Sequence, residues 1–537
     1  RYYPPPNRGY YAPPPPPHYR SYYAPPPPPP GAGGWGHMRG RYGHPPPPPP
    51  PNPRYGAPRP YYSNRGSVLL QNASAAYGTE FYVGAMRNLD GVTHELNLYI
   101  TTPSVSSVYF SVQTTNGIFG SYSVNSSVPV DISLPTTLVT NDGLYSSRFK
   151  GIYINSTNGG LISVLVVNIK LAGSYGEHMA YPYQNLDLSE YQYYAVSTGT
   201  LATSVNALGE VLLVGNEDNT TVTVIPTQAV SVPIDIQTNS NSKTVTAGSS
   251  FNFTIHRMQT FLIGAPLLDI SGTSIVSNKP LTVISGHECG NIPLVCCCEQ
   301  IAEQIPPTAT WGREFLLTPY ATRSVGPYFK VVAALGDTSL NFTCSASGGN
   351  NFYLPDAGNV TTLYSSSSYC SIISNKPVLV TQLGSSQWSG SGNGDPVISL
   401  IPPIEQHQRN ITLVIPALSE ITNNYINIAT TIKGSLYING QLRSVTWNNI
   451  YNSMSSIIGY GTQIPFNTIS TSSSYTISMQ TGFTALMNAL TTMIVNIFVL
   501  ILLEIILVCV IMDTIWMQIT ETVQNLQAML QNSKWDF

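Results

Sequence analysis

The chain has 537 residues, of which 9% are charged, and its formal net charge is −3 at pH 7. Soluble domains carry about 25% charged residues, so Ser, Thr, Asn and Tyr must cover much of this surface. Such a surface has little long-range electrostatic field, which excludes nucleic acid as a partner of the main body. The length exceeds that of one average domain and predicts a large region of several units with added tails.

Residues 1–66 differ in composition from everything that follows. They contain 24 of the 44 prolines, eight arginines and no Asp, Glu or Lys. Because proline fixes φ and lacks a backbone donor, the sequence predicts a disordered arm of polyproline II stretches separated by glycine-rich breaks. Two interpretations stay open: an arm that binds a partner through Tyr and Arg stacking, or a spacer with no specific partner.

Residues 67–483 consist of short alternating apolar and polar runs, broken by Gly, Asn, Asp and Pro every eight to twelve residues. This spacing is the signal of an all-β structure. Within it a unit of roughly a hundred residues recurs, a length suited to a small sandwich. We therefore predict tandem β-sandwich-like repeat units, about four in number, at 77–185, 186–306, 307–400 and 401–483.

Two similar segments mark the ends of the second and third units. They read SNKPLTVISG from Ser277 and SNKPVLVTQLG from Ser374, and NGGLISVLVVN from Asn158 is a weaker copy in the first unit. Asn tolerates a left-handed conformation and Lys-Pro fixes the start of the strand that follows. Each segment therefore predicts a hairpin.

Seven cysteines stand at positions 289, 296, 297, 298, 344, 370 and 509, in the spacing of neither a metal site nor a short secreted knot. We expect Cys344 and Cys370 to join neighbouring strands beside a hairpin. Paired cysteines together with N-glycosylation sequons indicate an oxidising compartment. The eight sequons begin at Asn72, Asn125, Asn155, Asn219, Asn252, Asn341, Asn359 and Asn410.

The stretch from Ser277 to Phe315 carries the most specific signal in the chain. It reads SNKPLTVISGHECGNIPLVCCCEQIAEQIPPTATWGREF and resembles the signature of the IgGFc-binding protein N-terminal domain family. A second stretch, GDPVISLIPPIEQ from Gly394, is similar to the family's GDP and PPxEQ segment. The resemblance covers roughly 77–483. The matching positions in the first stretch are Ser285, Gly286, His287, Glu288, Cys289, Cys298, Glu303, Gln304, Pro306, Pro307, Trp311, Gly312, Glu314 and Phe315.

The resemblance implies an extracellular β-domain that binds or assembles and does not catalyse. It also implies a bridge between Cys289 and Cys298 that closes the loop after SGHEC. Because the family has one cysteine where this chain has three in a row, Cys296 and Cys297 stay open as partners of Cys289. No residue identifies the ligand, so the ligand-binding residues are unassigned.

Residues 484–537 lose the family pattern and begin an apolar stretch. The segment Met493–Met512 is apolar except for Asn496 and Glu504 and is just long enough to span a bilayer as a helix. The positions after it recur at coiled-coil spacing, which predicts an amphipathic helix. A membrane anchor or oligomerisation helix, a buried core helix and a misjoined gene end all stay open. The spaced positions are Ile519, Val523, Leu526 and Leu530.

No motif predicts catalysis. His287 and Glu288 lack the second histidine one helical turn later that a zinc-protease site requires, and Gln300 stands where the family often has a histidine. We expect these two side chains to satisfy backbone groups of a loop. Adjacent cysteines on an extended chain point alternately, so they do not predict a metal site. With no GxSxG elbow, P-loop or GxGxxG turn, we predict no enzyme, no metal and no cofactor.

These observations predict a non-enzymatic binding and adhesion glycoprotein, extracellular or on the cell surface, that contributes to matrix or mucus assembly through its β-repeats and its arm. The predicted partners are extracellular glycoproteins or matrix or mucus components. One alternative is a membrane-anchored receptor that spans at Met493–Met512. Another is a crosslinked matrix or capsule component that self-associates through its arm and spare cysteines. Detergent extraction and reducing against non-reducing gels separate these hypotheses.

Overall fold

The computed structural model describes residues 76–140, 147–171, 174–200, 207–235, 240–293, 298–344, 348–366, 368–385, 395–418, 421–466 and 471–491. These residues contain 33 strands and no α-helix, so the prediction of an all-β fold is confirmed. No helix among them is long and apolar enough to cross a membrane. The predicted arm at 1–66, the segment Met493–Met512 and the amphipathic helix after it lie outside the described residues.

The first two units are two-sheet sandwiches. Unit one, at 80–180, contains β1 Glu80–Val83, β2 Glu95–Thr101, β3 Val108–Thr114, β4 Gly117–Val124, β5 Val130–Leu134, β6 Ser147–Arg148, β7 Ile152–Ser156, β8 Ser163–Lys170 and β9 Ser174–Ala180. Unit two, at 191–304, contains β10 Tyr191–Tyr194, β11 Leu208–Gly215, β12 Thr220–Ile225, β13 Val230–Asp235, β14 Ser240–Val245, β15 Phe251–Ile255, β16 Thr260–Pro266, β17 Ser274–Ser277, β18 Leu281–Gly290 and β19 Glu299–Gln304.

The last two units each contain one long strand. Unit three, at 312–400, contains β20 Gly312–Leu317, β21 Tyr328–Ala333, β22 Thr338–Thr343, β23 Asn350–Leu354, β24 Val360–Tyr364, β25 Cys370–Gly384 and β26 Val397–Leu400. Unit four, at 408–491, contains β27 Gln408–Ile415, β28 Ile421–Thr430, β29 Leu436–Ile438, β30 Gln441–Arg443, β31 Asn448–Tyr451, β32 Ile457–Phe466 and β33 Ser473–Thr491. Short 3₁₀ turns occur at Leu89–Gly91, Thr136–Leu138, Thr308–Thr310 and Ile404–Gln406.

Units one to three share one strand order, and unit four follows it without a described counterpart of β9. Unit one has sheets β1-β7-β3-β4 and β5-β2-β8-β9, and unit two repeats them as β10-β17-β12-β15 and β16-β11-β18-β19, with β6 added beyond β16 and with β13 and β14 as a separate two-stranded sheet. In unit three, β25 lies between β20 and β22 and then between β21 and β26, so it takes both of the places that β7 and β8 hold in unit one. In unit four, β33 pairs with β27 and β29 and then with β28. All pairings between the named strands are antiparallel, which is the arrangement that an alternating sequence pattern favours, and one isolated bridge, between Ala85 and Val139, is parallel.

The SNKP segments are crossings between sheets, so the hairpin prediction for them was wrong. Ser277 ends β17 in one sheet of unit two and Leu281 begins β18 in the other, and the second SNKP lies inside β25 at the same point. The two turns form the same bonds. Each serine Oγ donates to the lysine carbonyl oxygen two residues later at 2.7 Å, in Ser277 and in Ser374. Each asparagine Oδ1 accepts a backbone N–H at 2.8 Å.

Apolar side chains on the inward faces of the paired sheets form each sandwich core. In β9 buried and partly exposed residues alternate along the whole strand, which is the pattern of a sheet with one face in a core. The core of unit one includes Phe81, Leu98 and Phe110, and that of unit three includes Phe315 and Phe329. Burial of each such side chain contributes about 1.5–3 kcal/mol to the free energy of folding. Because the chain has few charged residues, this burial is the main source of its stability.

Smaller apolar clusters join the units into a closed ring. Met86 of unit one packs on Leu212 and Ile284 of unit two. The core of unit two continues into unit three, and a separate cluster joins unit three to unit four. Tyr99 and Val414 belong to a cluster that joins unit one to unit four, so the first and last units are neighbours. Strand β33 of unit four ends at Thr491, so the predicted end of the β-region at 483 falls inside this strand.

Candidate functional site at the junction of the four units

The strand β19, with the sequence EQIAEQ, lies at the centre of the ring and braces the other units with its side chains. Glu299 Oε2 accepts the backbone N–H of Tyr175 at 2.8 Å, and Gln304 Oε1 accepts that of Tyr181 at 3.0 Å. Both donors lie on or just after β9 of unit one. The edge of β9 is thus satisfied by side chains and not by another strand, which meets the need of buried backbone groups for partners.

Glu303 of the same strand braces unit three. Its Oε1 accepts the backbone N–H of Leu400 in β26 at 3.0 Å. Burial raises the pKa of Glu303 to about 8, against the lowering effect of the Leu400 bond, and the charge of Glu177 adds to the rise. Glu303 is therefore mainly protonated at neutral pH.

The SGHEC strand carries a second brace, between units one and two. Glu288 accepts from Arg87 Nη2 at 3.1 Å, from the Gly91 backbone N–H at 2.8 Å and from that of Leu208 at 3.2 Å. Burial, followed by the charge of Glu288, raises the pKa of Glu210 well above its ordinary value. Two acidic side chains, Glu288 and Glu210, therefore share this interface with the Arg87 guanidinium.

His287 has a structural role in its own strand. Its Nδ1 accepts the backbone N–H of Cys289 at 3.0 Å, and burial lowers its pKa to about 3, so the ring is neutral. Within the described ranges, no three His, Cys, Asp or Glu side chains come together in a way that could hold a metal ion. His287 and Glu288 thus bond backbone groups, as the sequence indicated.

Two signature positions in SGHEC allow close packing at the sheet. Ser285 Oγ accepts the Val196 backbone N–H at 3.0 Å and donates to its carbonyl oxygen at 2.8 Å. A Cβ on Gly286 would lie 1.8 Å from the carbonyl oxygen of Ile301, so only glycine fits between β18 and β19. Both residues therefore serve sheet geometry.

Each of the two IPP segments leads into a short 3₁₀ turn. Trp311 Nε1 donates to the Pro306 carbonyl oxygen at 2.9 Å and closes the turn that follows Pro307. Gln406 Nε2, from the second segment, donates to the Thr310 carbonyl oxygen at 2.7 Å. The remaining signature positions differ in burial. Gly312 contacts Pro403, Glu314 is exposed and Phe315 is buried.

The structure contains two disulfides in its described part. Cys289 and Cys298 are bonded with their Cα atoms 4.9 Å apart, and Cys344 and Cys370 are bonded with theirs 4.1 Å apart. The second pair lies on neighbouring strands, because Thr343 of β22 pairs with Ser371 of β25. Cys296, Cys297 and Cys509 lie outside the described residues.

Seven of the eight sequon asparagines fall within the described residues, and none of the seven is buried. Asn219, Asn252 and Asn410 are exposed. Those of intermediate exposure are Asn125, Asn155, Asn341 and Asn359. Asn72 lies outside the described residues. The accessible asparagines therefore stay predicted glycosylation sites.

A cavity of about 270 Å³ lies where the four units meet. Its lining includes Glu177 of β9, Glu303 of β19, Ile398 of β26, and Leu413 and Ala485 of unit four. Burial raises the pKa of Glu177, and no Lys or Arg is present among the described residues that line the space. Most of the lining is apolar. It includes two acidic side chains, Glu177 and Glu303, and no described Lys or Arg that could neutralise them.

Sequence reasoning missed several residues of this junction. Arg87, Glu177 and Glu299 lie far apart in the chain, and their partners are set by the ring. One signal was available for β19. The pair Glu-Gln occurs twice within six residues of a strand, where polar side chains on both faces indicate contacts to polar groups on both sides.

The braced sandwiches define a class: an all-β repeat protein whose polar signature residues hold its units together. A family model described as IgGFc binding protein matches residues 176–488. The chain belongs to the IgGFc-binding protein family, and the resemblance found in the sequence is confirmed. The match begins near the end of unit one, so most of that unit is assigned by its strand order alone.

Two comparisons with individual proteins add limited detail. The human IgGFc-binding protein is 25% identical over 177 residues, which is 33% of this chain and 3% of the relative. The chain thus spans a small fraction of that relative's length. A glycoside hydrolase family 32 structure from Bifidobacterium adolescentis aligns with 8% identity over 77% of this chain and 99% of its own, at a TM-score of 0.14. A score this low carries no argument about fold or activity.

Proposed function

We propose that the protein is a non-enzymatic extracellular binding protein that acts in adhesion or in the assembly of a matrix or mucus layer. One observation carries the proposal: the polar signature side chains Gln304 and Glu303 of β19 and Glu288 of SGHEC accept backbone N–H groups of other units. Residues used in this way build a rigid platform, and recognition is left to the outer surfaces. The name of the family supports antibody Fc as the first ligand to test.

The outer face of unit one is the surface we assign to recognition. Tyr109 is 56% exposed and Ile118 is 70% exposed, and Ser123 lies opposite Tyr109 on the same face. The chain has no Asp, Glu, Lys or Arg between Glu95 and Asp131. An uncharged face of tyrosine, serine and apolar residues resembles the contact surfaces of antibodies, which gain affinity from rigid aromatic side chains.

The test is binding of the full chain to an array of glycans and extracellular proteins that includes immunoglobulin Fc. We expect at least one ligand, and at least a tenfold weaker affinity for it in the double variant Tyr109→Ala, Ile118→Ser. The matched control is Tyr364→Ala, Leu442→Ser, which changes exposed residues on other units. Equal binding by both variants would reject the surface, and no binding to any extracellular molecule would reject the function.

A second candidate function is self-association, and the edge strand β4 favours it. β4 ends its sheet, exposes Ile118 and Phe119 and has neither Lys nor Pro, the residues that usually protect an edge from pairing. We expect sedimentation velocity to show a dimer that grows with concentration and is lost in Ile118→Lys. Ile432→Lys, at another exposed site, is the control. A monomer at all concentrations would reject self-association.

A further inference from the structure

The cavity at the junction of the four units, which we call the central cavity, has room for a small organic molecule. Its volume is about 270 Å³. In another protein, a dry apolar cavity of about 150 Å³ is large enough to bind benzene. Scaled by volume, the central cavity can hold a molecule of about eleven non-hydrogen atoms. None of the described residues that line it belongs to β4, so the space is separate from the outer face of unit one.

The walls of the central cavity are mostly apolar and come from every unit. Each unit contributes at least one branched aliphatic side chain to the lining. These include Leu165 from β8, Leu281 from β18, Ile398 from β26 and Leu413 from β27. Because removal of apolar surface from water is favourable, such walls favour the hydrocarbon part of a ligand. The lining thus suits a ligand with an apolar body.

The polar groups of this lining are acidic or neutral, and none of the described ones is a Lys or Arg. Glu177 of β9 and Glu303 of β19 are near enough for the charge of Glu177 to raise the pKa of Glu303. Burial lowers the pKa of His178, which also lines the cavity, to about 4, so its ring is uncharged at neutral pH. The buried Nε2 of His178 has no hydrogen-bond partner in the described part of the chain.

A cation beside these groups would supply the charge that the lining lacks. Carboxyl groups buried without a counter-ion are held in the protonated form, and a neighbouring cation favours their ionised form. A metal ion does not fit, because no three His, Cys, Asp or Glu side chains of the described residues come together to hold one. An ammonium group needs no such ligand set and has three N–H donors.

We propose that the central cavity binds a small apolar molecule with one primary amine, whose ammonium group pairs with Glu177 and Glu303 while its body lies against the apolar walls. A neutral imidazole nitrogen can accept a third N–H bond from the same group. Such a bond would satisfy His178 Nε2, which the surrounding side chains leave unpaired. The ligand class is therefore set by two acids, one imidazole and an apolar space of limited size.

The test measures the binding of two probes to the full chain by isothermal titration calorimetry at pH 7. Phenylbutylamine and phenylbutanol have the same number of non-hydrogen atoms and differ in the charge at one end. We expect the amine to bind about tenfold more tightly than the alcohol, or better. The double variant Glu177→Gln, Glu303→Gln keeps the size of both side chains and should lose this preference. The matched control Glu190→Gln, Glu314→Gln changes two exposed acids and should keep it.

Equal affinity of the unmodified chain for the two probes would overturn the proposal in favour of a cavity that selects only for apolar surface. Binding of neither probe would overturn it as well, because the space would then be closed or already filled. A preference for the amine that persists in the double variant would place the ammonium group away from Glu177 and Glu303. Binding of phenylbutanol by the double variant shows that its cavity is intact. The first two outcomes concern the unmodified chain and do not depend on the folding of variants.

Discussion

The hydroxyl of Tyr77 donates to the carbonyl oxygen of Thr412 at 2.5 Å and accepts the backbone N–H of the same residue, 335 positions further along the chain. Tyr77 precedes the first strand of unit one, and Thr412 lies in the first strand of unit four. The side chain of Tyr77 therefore links the start of unit one to the first strand of unit four.

The first prediction concerns this tie. Tyr77→Phe removes both hydrogen bonds and leaves the Thr412 backbone groups unpaired, so the free energy of unfolding should fall by about 1–3 kcal/mol. Chemical denaturation of the full chain measures the change. Tyr109→Phe, on the exposed face of unit one, should change it by less than about 0.5 kcal/mol. Equal effects in the two variants would show that the tie does not stabilise the ring.

The second prediction concerns the brace from β19 to unit one. Gln304→Met keeps the size of the side chain and removes the acceptor of the Tyr181 backbone N–H. A buried donor left without a partner costs about 1–3 kcal/mol, so the denaturation midpoint should fall. Gln441→Met, on the exposed strand β30, is the control. If the two variants were equally stable, the Tyr181 backbone N–H would bond to water in place of Gln304 with no loss of free energy of unfolding.

The third prediction concerns pH. Glu303 has a pKa of about 8 in the folded protein and about 4.5 when unfolded, so the folded state binds more protons between these values. Stability should therefore fall as pH rises through this window, by up to about 1.4 kcal/mol per pH unit. The buried histidines His178 and His287 have lowered pKa values and act in the opposite direction, but only below about pH 6.5.

The measurement is the free energy of unfolding between pH 6.5 and 8 for the unmodified chain and for Glu303→Gln. Glutamine can still accept the Leu400 backbone N–H, so the variant should fold and show a flatter dependence on pH. Glu314→Gln, an exposed residue in the signature, should keep the original slope. Parallel curves for all three proteins would mean that Glu303 titrates near its ordinary pKa.

The fourth prediction concerns the disulfide between Cys344 and Cys370, which joins residues 26 positions apart in the chain. Loss of a loop constraint of this length should lower the free energy of unfolding by about 3 kcal/mol in the double variant Cys344→Ala, Cys370→Ala. Peptide mapping without reductant should recover this pair from the unmodified chain. A free thiol at either position would contradict the prediction. So would an equal fall in the free energy of unfolding when the variant and the unmodified chain are reduced.

The fifth prediction tests whether the repeats are physically equivalent. Ser277→Ala and Ser374→Ala each remove the hydroxyl bond to a lysine carbonyl oxygen at a sheet crossing, and Ser374 Oγ also lies 3.2 Å from the Arg313 carbonyl oxygen. Each should cost about 1 kcal/mol, and the two values should agree within about 0.5 kcal/mol. Ser123→Ala, on the exposed face of β4, should be neutral. A large difference between the first two would mean that the crossings differ in strain or solvation.

The parts of this fold that the sequence predicts are those with local signals. Alternating apolar runs predict strands, and the two SNKP segments indicate equivalent places in two repeats. The same segments were assigned to hairpins, because a turn between two apolar runs has the same local sequence whether its strands pair with each other or with strands of different sheets. Strand partners such as β17 with β12 are set by the sandwich as a whole.

The ring and its junction could not be predicted for a similar reason. Gln304 and Tyr181 are 123 positions apart, and Arg87 and Glu288 are 201 positions apart. No period or motif relates such positions in a single sequence. The resemblance to the family placed Glu303 and Gln304 among the signature residues, and the structure adds the backbone groups that these side chains hold.

The crossing at each SNKP turn should also oppose sliding of the two sheets of units two and three past each other. Sheets in a sandwich are ordinarily joined across their interface by side-chain packing, which is not directional. Here an inner strand of one sheet continues through Ser277 to Leu281 into an inner strand of the other, and β25 does so without interruption. For the two sheets to slide past each other, a strand bonded on both sides must be pulled from its ladder. A protein built in this way would transmit tension along its backbone while its cores stay closed.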